Sequence, residues 1–389
     1  MFPSRQLPRH GIFLQRQIRA LERLGIRCTF LVPRPWAPWP LTHMPRWRGY
    51  GSHNPLLSTE EDSLETVRYV RPPGQWFRRY EARAMARSLV PAAQGLHEQR
   101  RFDAIWACPL FPDAVAAVAV KQQLSLPLVS LSIGSDVLVY PRQQPALDRQ
   151  LRQTLTHVDL PMGVSQAICR RLDVLGAHDP MCVYLGRDQK QFAPVGNRPA
   201  LRQQLGWSKD VVVGVYVGLL APSKGMTELS MAATAALAHH PQFHLVCVGS
   251  GPSQQQLAAH NHPRIHLPGE LAPEQIPRYL QAADFFVFPS HSEGMPQAVL
   301  EAMQCGLPIV ATDVGGIPEA VSQNDNGLLI PAQRADLLQG AMERMITDPT
   351  FREHAGQRSQ AIAAERFDSE VNTKRLADAI KYVVHAMES

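Results

Sequence analysis

The chain has 389 residues, 45% of them hydrophobic, and a formal net charge of +5. That length suits two domains with separate cores. The longest apolar candidate for a membrane span is broken by Asp113, Lys121 and neighbouring glutamines, and no signal-peptide pattern is present, so a cytoplasmic protein with at most peripheral membrane contact is expected.

The charge is uneven. Residues 1–190 hold 25 Lys+Arg against 15 Asp+Glu, and the remainder 14 against 19. A basic first half suits an anionic partner: a lipid-diphosphate acceptor, an anionic membrane face or nucleic acid. A solvated arginine-rich surface explains it equally well. Six cysteines are scattered without a CxxC pair, which fits reduced, buried thiols.

Residues 12–24 place Ile12, Leu14, Ile18, Leu21 and Leu24 mostly on one helical face, and Gly25 ends the helix. A strand follows at 27–34. Pro33, Pro35, Pro38, Pro40 and Pro45 then mark loop. Helices are predicted at 76–99, 112–122, 145–156 and 166–175, with strands at 102–108, 126–133 and 159–165. The stretch 188–200 (DQKQFAPVGNRPA) is polar and proline-containing, as a linker would be. A second series then begins: strands at 210–218, 243–249, 264–269, 284–290 and 307–312 alternate with helices at 224–239, 273–282 and 296–305. Helices at 333–347 and 351–364 follow, and a last helix can pack back on the first domain. The alternation means α/β with parallel sheets. The predicted domains are 1–190 and 201–365, with a linker at 191–200 and the returning helix at 366–389. A doubly wound domain should open on a strand near the middle of its sheet. This sequence opens on a loop, Met1-Phe2-Pro3-Ser4, and runs into a helix.

The densest motif is FPSHSEGMPQAVLEAMQCGLPIVATDVGGIPE, from Phe288 to Glu319. Glu293 and Glu301 lie eight apart, with Gly294, Met295 and Pro296 at a helix start. Amides there point outward with partial positive charge and can hold hydroxyls or phosphate oxygens. If both glutamates were helical they would lie roughly 12 Å apart. That is too far for a retaining glycosidase pair at about 5 Å, so two grips on one long ligand are favoured. Two solvent-facing helix carboxylates are the plainer alternative. Gly218 to Gly225 (GLLAPSKG) follows a buried strand, where Lys224 can reach a diphosphate or simply sit on the surface. Gly249-Ser250-Gly251-Pro252 reads as a turn, and Gly315-Gly316 as phosphate contact or helix entry. In the first half Ser135 and Asp136 end a buried strand, where Asp136 can bind an acceptor hydroxyl or cap the next segment. Arg187 can meet phosphate or form an interdomain ion pair. Gly11 allows close backbone approach to a donor. His260, His262 and His266 lack a matching Cys or carboxylate set, so no metal site is expected, and no DxD pair or P-loop is present.

With these residues in hand, the chain resembles the family 4 retaining glycosyltransferases of GT-B architecture, most strongly from Asp210 to Pro331. HGIFLQRQIRALERLG, GSDV and EGMP are similar to bacterial enzymes of exopolysaccharide and teichuronic acid assembly. The resemblance implies two Rossmann-like domains facing across a cleft. It implies hexosyl transfer from a nucleotide sugar to a glycan or lipid-linked acceptor with retention, without metal or other cofactor and without nucleic acid. Glu293 would contact the donor hexose and Glu301 the ribose. Gly294 to Pro296 would hold sugar and phosphate. Lys224 would neutralise the diphosphate. Asp136 and the Gly11 loop would lie in the acceptor domain.

Three departures stand out. Leu219 occupies the position after Gly218 where the family commonly has Arg. LGRD (185–188) replaces an NGVD-like element. The opening strand is missing, MFPS matching the segment just after it, as in a product started too late or truncated. A catalytically weak binding subunit is therefore an alternative, and an epimerase on the same architecture a third.

Overall fold

The computed structural model describes residues 11–37, 39, 41–44, 64–71, 74, 77–186, 191–259 and 261–388. His10, Arg187, Asp188 and His260 lie outside the described residues, as does Met1-Phe2-Pro3-Ser4. The chain divides into two compact units, Met1–Leu185 with Glu370–Ser389, and Gly186–Ser369.

In chain order the first unit contains α1 (Ile12–Arg23), β1 (Phe30–Trp36), β2 (Leu64–Val70), α2 (Arg78–Arg100), β3 (Ile105–Ala107), α3 (Val115–Leu124), β4 (Leu128–Ser132), α4 (Ser135–Leu138), α5 (Tyr140–Gln143), α6 (Pro145–Leu155), β5 (Leu160–Gly163), α7 (Gln166–Val174) and β6 (Met181–Cys182). The second contains α8 (Arg198–Gln204), β7 (Val212–Val217), α9 (Met226–His239), β8 (Phe243–Val248), α10 (Gln254–Ala258), β9 (Ile265–Gly269), α11 (Ile276–Ala282), β10 (Phe285–Phe288), α12 (Gln297–Gln304), β11 (Ile309–Thr312), α13 (Ile317–Ala320), β12 (Gly327–Ile330), α14 (Ala335–Thr347) and α15 (Pro349–Arg366). The last helix, α16 (Ser369–Glu388), falls almost wholly in the first unit.

The second unit is a six-stranded parallel sheet in the order β12-β11-β10-β7-β8-β9. Its inner strands read as unbroken apolar runs because helices cover both faces. Val213, Val215, Leu245, Phe285, Phe286 and Ile309 are fully buried. The order records a reversal: the chain steps from β7 to β8 and β9 on one side, then returns to lay β10 against the other edge of β7. Such a reversal opens a crevice at the carboxyl ends of the two diverging strands, where ligands of this fold bind.

The expected linker 191–200 falls inside the second unit, which begins at Gly186. Asn197 caps α8 by accepting the Ala200 amide, and Arg198 and Arg202 both reach Asp284 at the start of β10, at 2.6 and 2.9 Å. The first unit's sheet is in two pieces, a parallel pair β1-β2 and a parallel set β3-β4-β5-β6. Pro33, near the end of the strand expected at 27–34, and Pro35, expected in loop, both lie inside β1, which the chain can accommodate because a strand edge without a partner needs no N–H donors. Leu110–Ala114 forms one wide turn, so the helix expected from 112 starts at Val115. All six cysteines are free, with Cys169, Cys247 and Cys305 buried.

Candidate active site

The loops after β7 and β10 meet at the reversal point of the second unit. Lys224 ends a short turn after β7, just before α9. Glu293 sits in the loop between β10 and α12. Lys224 Nζ lies 2.6 Å from Glu293 Oε1, and the two side chains are 28% and 12% exposed. The glutamate is thus lodged in the rim while the ammonium keeps an open side. An ammonium has three hydrogens, so one bond to Glu293 leaves donors for a phosphate oxygen.

These loops are held backbone against backbone. Gly225 has φ 71°, and a Cβ there would fall 1.9 Å from the Pro289 carbonyl oxygen. Gly315, with φ 56°, leaves no room either: its Cβ would lie 1.7 Å from the Glu293 carbonyl oxygen. Only glycine fits both the angle and the space. The loop after β11 therefore pins the backbone of Glu293. Thr312 adds a hydroxyl bond to the Ser290 carbonyl at 2.5 Å, and the His291 amide donates to Ser223 O at 3.1 Å. The turn 249–252 braces the other side, with the Leu220 amide donating to Ser250 O and the Ser253 amide to Leu220 O. His291 Nε2 lies 3.2 Å from Glu228 Oε1, a neighbouring pair that sequence reading did not single out.

Glu293 is not helical, since α12 starts at Gln297. The separation expected for two helical glutamates therefore does not apply. Pro296 is the residue before the helix rather than its first, with Gly294, Met295 and Pro296 all buried, and no side chain caps α12. The amides of a start without a side-chain cap suit an anionic or hydroxyl ligand. Glu301, on α12, is 8% exposed. Buried beside it, the Cys305 thiol is pushed well up, by burial first and by the Glu301 charge second. Gly218 has φ 159°, at the border of the extended region, and sits against the Tyr216 ring. Tyr216 is fully buried, stacks on Phe288 at 5.8 Å, and donates its hydroxyl to the Leu219 carbonyl at 2.9 Å. The Leu219 side chain, where an Arg was expected, is 54% exposed.

In the first unit Asp136 is 1% exposed, and its carboxylate accepts the amides of Leu110, Gly134 and Ile133 at 3.0, 2.9 and 3.3 Å. Burial raises its pKa and these amides oppose the rise. The group thus clamps the Ser135 turn to the Leu110 turn. Gly11 is the residue before α1, buried and left-handed at φ 77°. A second polar group went unnoticed in the sequence because its members sit on two different elements, β2 with its end and α2. Tyr69 donates to Glu81 at 2.9 Å, and Arg71 lies 3.2 Å from the same oxygen. Burial, with the Glu81 charge adding to it, pushes the Asp113 carboxyl up to about 6.

Residues 197–362 match the family described as Glycosyl transferases group 1, so the chain carries a domain of that family. Along 97% of its length it is 28% identical to a protein of Bacillus subtilis (strain 168), covering 95% of it, named as a teichuronic acid biosynthesis glycosyltransferase, TuaC. It is also 28% identical, over 73% of this chain and 77% of the relative, to the GDP-mannose-dependent monoacylated alpha-(1-6)-phosphatidylinositol monomannoside mannosyltransferase of Corynebacterium glutamicum. Among solved structures, sucrose-phosphate synthase from Thermosynechococcus elongatus matches with a TM-score of 0.77 at 20% identity, covering 97% of this chain and 94% of that one. Anabaena HepE in complex with UDP-glucose matches at 0.67 and 24%, covering 82% and 86%. The fold is that of the GT-B glycosyltransferases.

Proposed function

We propose that the protein transfers a hexosyl group from a UDP- or GDP-sugar to a glycan or lipid-linked acceptor, with retention at the anomeric carbon and without a metal ion. The observation that carries this reading is the Lys224–Glu293 pair at the reversal point of the second sheet. The GDP-mannose dependence named for the Corynebacterium relative, and the teichuronic acid role named for the Bacillus one, support the donor class and a polysaccharide or lipid-linked acceptor.

In this mechanism the donor diphosphate lies against Lys224 and the amides at the start of α12. Glu293 orients the hexose, and Glu301 accepts the ribose hydroxyls. The bond from the anomeric carbon to the diphosphate oxygen breaks with its electron pair leaving on the diphosphate. The acceptor oxygen forms its bond from that same face, and its proton passes to the departing oxygen. Lys224 stabilises charge as it develops, which is where electrostatic catalysis is strongest. The carboxylates of Glu293 and Glu301 bind hydroxyls and take no part in covalent chemistry. The basic first half supports an acceptor or membrane face that is anionic, at the inner surface of the membrane.

Calorimetric titration with UDP and GDP tests the donor site. Micromolar binding of one nucleotide is expected, and a folded protein that binds neither defeats the proposal. Product analysis by NMR then reads the anomeric configuration. A weak or inactive binding subunit is the second reading, favoured by the exposed Leu219 at the position of the expected Arg. Nucleotide binding without turnover across a panel of donors and lipid-linked acceptors would select it.

A further inference from the structure

Beside the Lys224–Glu293 pair, further contacts tie the loop after β10 to the segment that joins β7 to α9. The Pro289 carbonyl rests on Gly225, where a Cβ would fall 1.9 Å from its oxygen. The His291 amide donates to Ser223 O at 3.1 Å. Another tie is made of side chains. His291 Nε2 lies 3.2 Å from Oε1 of Glu228, in the first turn of α9, and the two side chains are 25% and 15% exposed. A carboxylate suits that end of a helix, where the partial charge is positive. Among the described residues, Glu228 Oε2 and His291 Nε2 are both buried without a hydrogen bond to any other group. The two side chains therefore answer chiefly to each other.

We propose that Glu228 and His291 are positioning residues for the donor site. Their pair latches the Glu293 loop to α9, so that Lys224 and Glu293 stand at a fixed spacing before the nucleotide sugar arrives. Neither side chain touches the donor in this role. The inference rests on the donor-site reading above and adds to it the means by which the site is held ready.

The direct pair cannot fix the spacing by itself. When the donor binds, Lys224 turns hydrogens to the diphosphate and Glu293 turns oxygens to the hexose, so the 2.6 Å contact between them is partly given up. The Glu228–His291 pair is not called on by the donor and persists. Its members are joined to the working pair by short stretches. Glu228 follows Lys224 by four residues, with Gly225 fixed against Pro289 between them, and His291 precedes Glu293 by two. Lifting the loop would leave a carboxylate and an imidazole mostly buried and apart, which costs more than losing an exposed ion pair. A fixed spacing matters because electrostatic stabilisation is strongest from groups that need no rearrangement during the reaction.

The experiment combines calorimetric titration of UDP and GDP with amide exchange on the 389-residue protein. Glu228→Ala and His291→Ala should each weaken nucleotide binding about 10-fold. The double variant should be no more than about 2-fold worse than the weaker single, because either change opens the same latch. In the unliganded protein, exchange of the amides at 291–295 should quicken at least ~10-fold in each variant, with β7, β8 and β11 unchanged. His291→Gln, which can present an amide N–H to the same carboxylate, should recover most of the affinity and the slow exchange. Full additivity of the two losses overturns the proposal, as does unchanged exchange at 291–295. Faster exchange spread over the whole second unit also overturns it, since that marks a pair that serves stability alone. So does a His291→Gln variant with slow exchange and weak binding, which marks contact between the ring and the donor. A parent protein that binds neither nucleotide defeats the donor-site reading, while the exchange result separately decides the latch.

Discussion

Lys224 and Glu293, 69 residues apart in sequence, meet at 2.6 Å because their loops leave adjacent strands on either side of the point where the winding reverses. The pair is a property of the topology as much as of the two side chains. Lys224→Ala should lower kcat/KM by about 10²-fold or more, with the loss chiefly in kcat. Steady-state turnover with the preferred nucleotide sugar checks this. A change confined to KM would mean that the lysine only binds.

Glu301 is buried on α12, about one turn after its start at Gln297. Glu301→Ala should weaken UDP or GDP binding about 10-fold, the loss of a charged hydrogen-bonding group. Calorimetry reads the result, and unchanged affinity would remove its role at the ribose.

Gly315 and Gly206 both have positive φ, at 56° and 73°, but only the first is crowded. Gly206→Ala should cost about 1 kcal/mol from backbone conformation alone. Gly315→Ala must also displace the Glu293 carbonyl, so it should cost about 2 kcal/mol or more and weaken nucleotide binding too. Urea denaturation and titration of both variants separate strain from site distortion.

Asp113 carries its carboxyl pKa at about 6, above the ordinary 3.8. The folded state therefore holds this proton more tightly than the unfolded chain does. Its contribution to stability is greatest below about pH 4 and declines as pH rises through about 6. Asp113→Asn should flatten this part of the melting-temperature profile between about pH 4 and pH 7. An unaltered slope in the variant would assign the effect to other groups.

Arg202 is 5% exposed, and Asp284 holds it together with Arg198. Asp284→Ala leaves the buried Arg202 guanidinium with carbonyl partners only, at Ala282, Ser208 and Val211, and should cost about 3–5 kcal/mol in the second unit. Calorimetric melting measures it.

The second unit was the more legible half. DVVVGVYVG and FHLVCVG are central parallel strands, and apolar runs bounded by glycine admit little else. The motif nominated Lys224, Glu293, Gly294 and Glu301, and the structure shows loop contacts that motif spacing cannot supply. What was missed lies at margins. β2 (LETVRYV) is mostly exposed or half-buried, with Tyr69 its one buried residue, β6 is two residues long, and β12 is a four-residue edge strand after a turn. α8 was hidden inside a polar stretch, although Asn197 followed by Pro199 is a helix-start signal. The Tyr69–Glu81–Arg71 cluster joins a strand to the following helix, and the Asp136 clamp reaches back to Leu110, pairings that local patterns do not encode.

The placement of α16 bears on how this polypeptide matures. Ile380 and Val384 wall the first unit, yet a ribosome makes them only after the last residue of the second unit. The leading part of the molecule is therefore completed last, by a helix made after all of the second unit. Synthesis order and folding order are inverted, and the early segments stand exposed to chaperones and proteases until the final helix arrives.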